Sequence, residues 1–244
     1  MSIHSSHAHL STKSKRFRFL LFVLCEAFSI GSFFYACFSG VASKILICIF
    51  SMLLLCVPHF LSKWLRFYIP TPLYVFILLY ALCPMLGHAY HFYYLIPWWD
   101  TLLHTCGGVA FALLGAYLPT LFQPKRPPSL WLCAIFGFCF SCTVAVLWEF
   151  IEYGCDMLLQ SDMQQDTIVS SIYSYLLGDQ MGVIGSIPNI ESIIINGNPL
   201  NGYIEIGLID TMTDMIFETL GALVYTAVYY LDKGKHVSFH QNKE

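Results

Sequence analysis

The sequence predicts an all-α fold, a polytopic membrane helix bundle of about six transmembrane helices with the N and C termini cytoplasmic. Three observations carry that prediction. Hydrophobic residues make up 57% of the 244 and charged residues 11%, with a mean hydropathy of +0.65, too apolar for a water-soluble domain. The apolar residues fall in runs of about 20, the length that crosses a bilayer as a helix. Lys and Arg collect in segments that share one side once six spans are threaded.

Residues 1–16 read as a polar cytoplasmic tail, with His4, His7 and His9 followed by Lys13, Lys15 and Arg16. The first span covers Phe17 to Phe38; the run is long and has no clear small-residue cleavage site, so it is retained rather than removed as a signal peptide. Glu26 lies near its middle, where a lone carboxylate must face the bundle or be protonated. The second span, Val41 to Leu61, ends in Lys63, Trp64 and Arg66, a polar and aromatic border. Pro70 and Pro72 mark the turn into the third span, Leu73 to Tyr94, which carries His88 and His91 and leads into the aromatic belt of Trp98 and Trp99.

The fourth span starts at Asp100 and runs to Phe122, with Asp100, His104, Gly107, Gly108, Phe111 and Gly115 on one packed face. Glycines there allow a neighbouring helix to come close. After the loop at Lys125 and Arg126, the fifth span runs from Trp131 to Tyr153. Residues 154–206 form a long outer-side loop without Lys or Arg. Its runs Thr167 to Leu177 and Met181 to Ile187 are apolar enough to lie in the interface or re-enter the bundle, and Asn196-Gly197 and Asn201-Gly202 signal turns. The sixth span, Ile206 to Leu231, closes the membrane domain of residues 17–231, and 232–244 form a cytoplasmic tail. The ten cysteines lie mostly inside apolar runs, where Cys acts as a small apolar residue, and no disulfide framework is expected.

Topology turns scattered polar residues into a site. Basic residues occupy both tails and the second-to-third and fourth-to-fifth connections, the cytoplasmic segments by the positive-inside rule; Lys44, on the other side, can snorkel. The stretch Trp148 to Asp156 then ends the fifth span outward with Glu149, Glu152 and Asp156 at i, i+3 and i+7 on one face and no basic partner. His88 and His91 arrive from the third span, Asp100 and His104 from the fourth, and Asp210, Asp214 and Glu218 from one face of the sixth. Taken singly, Asp100 and Asp156 fit helix ends at the headgroups, Asp210 fits a helix cap, and His88 and His91 fit an interfacial belt. Glu152, Asp214 and Glu218 lie deeper, where an ionised group costs several kcal/mol unless compensated. The expectation is that Glu149 and Glu152 face His104 and Asp214 across the bundle.

Four blocks in order carry a family resemblance: Trp99 to His104 with Gly107-Gly108, Trp148 to Glu152, Asp210 to Met215, and Gly221-Ala222. They resemble the bacterial YjdF-like integral membrane proteins, a family of unassigned function, and their order is distantly similar to the VanZ-like family linked to glycopeptide-antibiotic resistance. The resemblance covers roughly residues 80–231. It implies a multi-pass protein of the bacterial cytoplasmic (inner) membrane and supports the site's position, but it brings no reaction.

Two classes of function remain. In the first, the cluster is the divalent-metal site of a membrane enzyme, a hydrolase or transferase acting on a lipid or lipid-linked substrate reached from the outer leaflet. Asp100, His104, Glu149, Glu152, Asp210 and Asp214 are its metal ligands, and Glu149, Glu152 and Asp156 its catalytic candidates; His88, His91 and Glu218 are further candidates. Mixed His and carboxylate donors suit Zn, Mn or Fe without selecting one. No HExxH or GxSxG motif names the reaction. In the second class the same acids couple protons or cations to transport. A purely structural polar cluster is the third option. Membrane lipids are the expected partners, and nothing basic or aromatic suggests nucleic acid.

Overall fold

A computed structural model describes residues 11–64, 69–122 and 126–234. Helix α1 spans Thr12–Ser39, capped by the Ser11 side chain, which accepts from the Ser14 N–H, and closed by Gly40 in the left-handed conformation. The next apolar run, Ala42–Trp64, breaks into α2 (Ala42–Leu55) and α3 (Val57–Trp64). Pro58 explains the break, because it has no N–H for the preceding turn and its ring crowds the carbonyl four residues back. Helix α4, Thr71–Ala89, starts with Pro72 in its first turn, where a missing N–H does no harm. It stops short of the predicted Tyr94: His91 adopts a left-handed backbone, and a single turn, α5 (Phe92–Leu95), follows.

Helix α6 covers Trp99–Phe122 and α7 covers Leu130–Leu159. The fifth predicted span therefore runs a turn and a half past Tyr153. Its acids lie inside a helix rather than at its end, since no Pro intervenes and Gly154 alone does not break the helix. Helix α8 is Leu208–Leu231. Asp210 does not cap it; the Glu205 carboxylate does, accepting from the Leu208 and Ile209 N–H groups at 2.9 and 3.0 Å.

The long connection departs most from expectation. It forms three antiparallel pairs: β1 (Thr167–Val169) with β6 (Tyr203–Glu205), β2 (Ile172–Ser174) with β3 (Gly185–Ile187), and β4 (Ile193–Ile195) with β5 (Asn198–Leu200). The runs expected to lie in the interface or re-enter the bundle do not re-enter it: they supply β1, β2 and β3, and leave Leu176 and Met181 fully exposed. Their Ile, Val and Tyr residues favour strands once a partner is near. Asn196-Gly197, both at positive φ, makes the turn between β4 and β5. The fold is thus predominantly all-α with a small β-ribbed loop.

The helices sort into two groups of three. Helices α1, α2 and α4 pack together around Leu55, Leu78 and Met85, and α6, α7 and α8 pack together, with sparse contact between the groups. The second group closes through small residues: a Cβ at Gly137 of α7 would sit 2.6 Å from the Ala112 carbonyl of α6. Arg18 ties α1 to the start of α4, donating to the Ile69 carbonyl at 2.7 Å and to Thr71 Oγ1. Cys139 and Cys142 on α7 have the spacing of a dithiol motif, and both are free thiols.

Among the described residues five stretches, α1, α2 with α3, α4, α6 and α7, are long and apolar enough to cross a membrane. The protein is a multi-pass membrane protein. Helix α8 is equally long but carries three acids in its first half. His4, His7, His9, Arg66, Lys125, Lys235 and Lys243 lie outside the described residues.

Candidate metal centre

The site begins with the crossing of α6 and α8. A Cβ at Gly108 would overlap the backbone carbonyl of Glu218, and one at Gly221 would overlap the carbonyl of Thr105. Two helix backbones this close bring the preceding turn of each face together. Asp100 and His104 on α6 therefore meet Asp214 and Glu218 on α8. His104 Nε2 lies 3.5 Å from Asp100 Oδ1 and 3.4 Å from Asp214 Oδ2, and Nδ1 lies 3.5 Å from Glu218 Oε2. One Nε2 hydrogen cannot serve both Asp100 and Asp214.

Helix α7 closes the third side. Ser141 donates to the Gly108 carbonyl at 3.1 Å, fixing α7 against α6. Two turns further on, Glu149 and Glu152 point inward, and the Trp148 indole N–H donates to Glu152 Oε1 at 2.9 Å. Ligand atoms of Asp100, His104 and Asp214 lie within 4.8 Å of one another, and so do those of Glu149, Glu152 and Asp214. His104, Glu149, Glu152, Asp214 and Glu218 are all buried. Among the described residues, Glu149 Oε2, Glu152 Oε2, Asp214 Oδ2 and Glu218 Oε1 have no hydrogen-bond partner; Asp214 Oδ2 sits near His104 without the geometry of a bond.

The start of the long loop folds over this cluster. Gln165 donates from its side chain to Asp100 Oδ2 at 2.8 Å and from its backbone to Asp210 Oδ2 at 3.0 Å, and the Gln164 amide donates to Thr211 Oγ1 at 2.6 Å. Sequence reasoning did not assign these two glutamines, because a polar pair in a loop carries no periodic signal. Asp156 is turned to this loop. It accepts from Ser161 Oγ, the Met163 N–H and the Gln164 N–H at 2.7–2.8 Å, which occupies both oxygens. His88 and His91 also stand apart from the cluster. The His88 ring tilts against Tyr93, and His91 lies exposed, 3.4 Å from Lys44 Nζ. Asp210 stays at the rim, held by Gln165.

A cavity of about 220 Å³ leads to the cluster along the seam between the two helix groups. Phe50, Leu54, Ile77, Phe111, Leu114 and Trp148 line it, and Asp100, His104 and Glu218 form its polar end. A second apolar cavity of about 270 Å³ lies between α2 and α7. Phe50 and Trp148 border both, their ring centres 5.6 Å apart.

The helices that build this centre fall within a stretch, residues 17–234, that matches the family described as predicted membrane protein, DUF2238. The chain belongs to the DUF2238 family. The YjdF-like resemblance is to this same family, while the VanZ-like motif order is not supported by the match. No curated protein and no solved structure matches the chain. For this DUF2238 member, then, chemistry must be read from the centre itself. Its donors are one imidazole and several carboxylates without a thiolate, a hard and borderline set that fits Mn, Fe or Zn. Ligands about 2.1 Å from an ion lie at most about 4.2 Å from one another, so each group closes on an ion by a shift of roughly half an ångström.

Proposed function

We propose that this protein is a metal-dependent enzyme of the bacterial cytoplasmic membrane, a hydrolase or transferase acting on a lipid or lipid-linked substrate. In this reading α8 is a sixth span, both termini are cytoplasmic, and the cluster opens toward the outer leaflet beneath the 154–206 loop. The absence of Lys and Arg from that loop supports the orientation. One observation carries the functional reading: a buried cluster with unpaired carboxylate oxygens forms the end of an apolar cavity. Buried carboxylates without partners demand a cation or protons, and an apolar passage suits a hydrocarbon chain better than a soluble substrate.

Asp100, His104, Glu149, Glu152 and Asp214 would hold the ion, which would polarise a bound water and the substrate's scissile oxygen. Glu218 faces His104 Nδ1 and so turns Nε2 toward Asp100 and Asp214, the usual role of a carboxylate behind a metal-bound histidine. A carboxylate of the centre that is not bound to the ion would accept the proton of the attacking water, and that proton would pass to the departing oxygen as the ester bond breaks. Cation-coupled transport is less well furnished, since Glu26 is the lone acid of α1–α4.

The deciding experiment purifies the full chain in lipid nanodiscs, measures bound metals, and follows headgroup release from a panel of bilayer lipids with and without added Mn²⁺ or Zn²⁺. Stoichiometric metal with metal-dependent turnover is expected. A metal-free protein whose Glu152→Ala and Asp214→Ala variants keep wild-type thermal stability would overturn the reading.

A further inference from the structure

We propose that the centre holds two divalent cations with Asp214 as their shared ligand, an inference that rests on the metal reading above and sharpens it. The donor atoms already divide in two. Asp100, His104 and Asp214 form one group and Glu149, Glu152 and Asp214 the other, each within 4.8 Å. The first lies between α6 and α8, the second between α7 and α8. Among the described residues Asp214 is the one member common to both, and it is 2% exposed.

The unpaired oxygens point the same way, and they are a separate observation from the grouping. Glu149, Glu152 and Asp214 are each 5% exposed or less, and each has one oxygen without a hydrogen-bond partner among the described residues. A cation in the first group alone leaves Glu149 Oε2 and Glu152 Oε2 buried and unmet. A cation in the second group alone leaves His104 Nε2 between two carboxylate oxygens at 3.4 and 3.5 Å with one hydrogen to offer. Only both together answer every atom of the two groups.

Charge also asks for more than one ion. Asp100, Glu149, Glu152, Asp214 and Glu218 carry five negative charges when ionised, and His104 offers at most one positive charge against them. One divalent ion cancels two of the five and two cancel four, and uncompensated charge in the bundle interior costs several kcal/mol per group. Ordered water would satisfy the hydrogen bonds without touching the charge. A pair of ions about 3.5–4 Å apart also clamps both the attacking and the leaving oxygen of a displacement.

The test strips the full-length protein of metal in nanodiscs, loads it with Mn²⁺ alone, and counts bound Mn by mass spectrometry beside its electron paramagnetic resonance spectrum. Two Mn per chain with an exchange-coupled spectrum is the expected result. One Mn per chain, or two without coupling, overturns the shared-ligand centre while leaving a metal site in place. No bound Mn overturns both. Glu152→Gln is expected to drop the count from two to one and abolish the coupling; retention of two coupled ions would overturn the inference. The count on the unmodified chain decides even if that variant does not fold.

Discussion

Gly108 of α6 lies directly against the backbone carbonyl of Glu218 in α8, with no room for a Cβ between them. That contact sets the spacing of the two helices. One turn toward the N-terminus of each, His104 and Asp214 come within 3.4 Å. A packing glycine thereby fixes the geometry of a polar centre.

Gly108→Ala is expected to lower thermal stability by about 1–3 kcal/mol, the usual cost of overpacking, despite the helix-propensity gain of about 1 kcal/mol. Gly31→Ala on α1 is the control, because a Cβ there meets nothing within 4 Å; it should be neutral or raise Tm. Thermal unfolding of both variants in the same detergent checks the pair, and equal shifts would show that the α6–α8 contact does not set stability.

Asp156→Asn separates the loop anchor from the cluster. Its two oxygens accept three hydrogen bonds from Ser161, Met163 and Gln164, and bonds to a charged acceptor are worth about 1.5–3 kcal/mol each. The variant should lose stability and expose the loop to protease while keeping the metal content of the wild type. Glu149→Gln should do the reverse, losing metal with the loop intact. Limited proteolysis and metal analysis on the two variants read the difference directly.

The course of the helices was legible in the sequence, and so was the approach of His104 on one side and of Glu149 and Glu152 on the other to Asp214, because apolar run length and helical periodicity are local signals. The Gly107-Gly108 pair announced the close crossing for the same reason. Asp156 was misplaced by that logic. Spacing of i, i+7 puts it on the face of Glu149, but a short run of loop N–H groups nearby claimed its carboxylate, and no periodicity encodes a loop's path. The β pairs were hidden similarly: Ile172 to Ser174 and Gly185 to Ile187 find each other across a connection of ten residues, and such pairing depends on partners distant in sequence. His88 fell outside because its ring packs against Tyr93 of the turn that follows α4.

Gln165→Ala removes the side-chain clasp on Asp100 and leaves the backbone bond to Asp210. Hydrogen exchange should rise over residues 161–166 and in the first turn of α6, with the helix interiors unchanged. A silent exchange map would mean that the loop is held by its strands alone.

Chelation probes the centre directly. A cation that binds the folded centre stabilises it by RT ln(1 + [L]/Kd), about 2.7 kcal/mol at a hundredfold excess over Kd. Stripping the protein should therefore lower Tm by several degrees, and Mn²⁺ or Zn²⁺ should restore it in a concentration-dependent way. The effect must vanish in Glu152→Gln combined with His104→Ala, which alters one ligand in each group. Destabilisation without metal sensitivity in that double variant assigns the lost stability to the cluster's ligand atoms. An unaltered metal response would place the stabilising ion elsewhere on the chain.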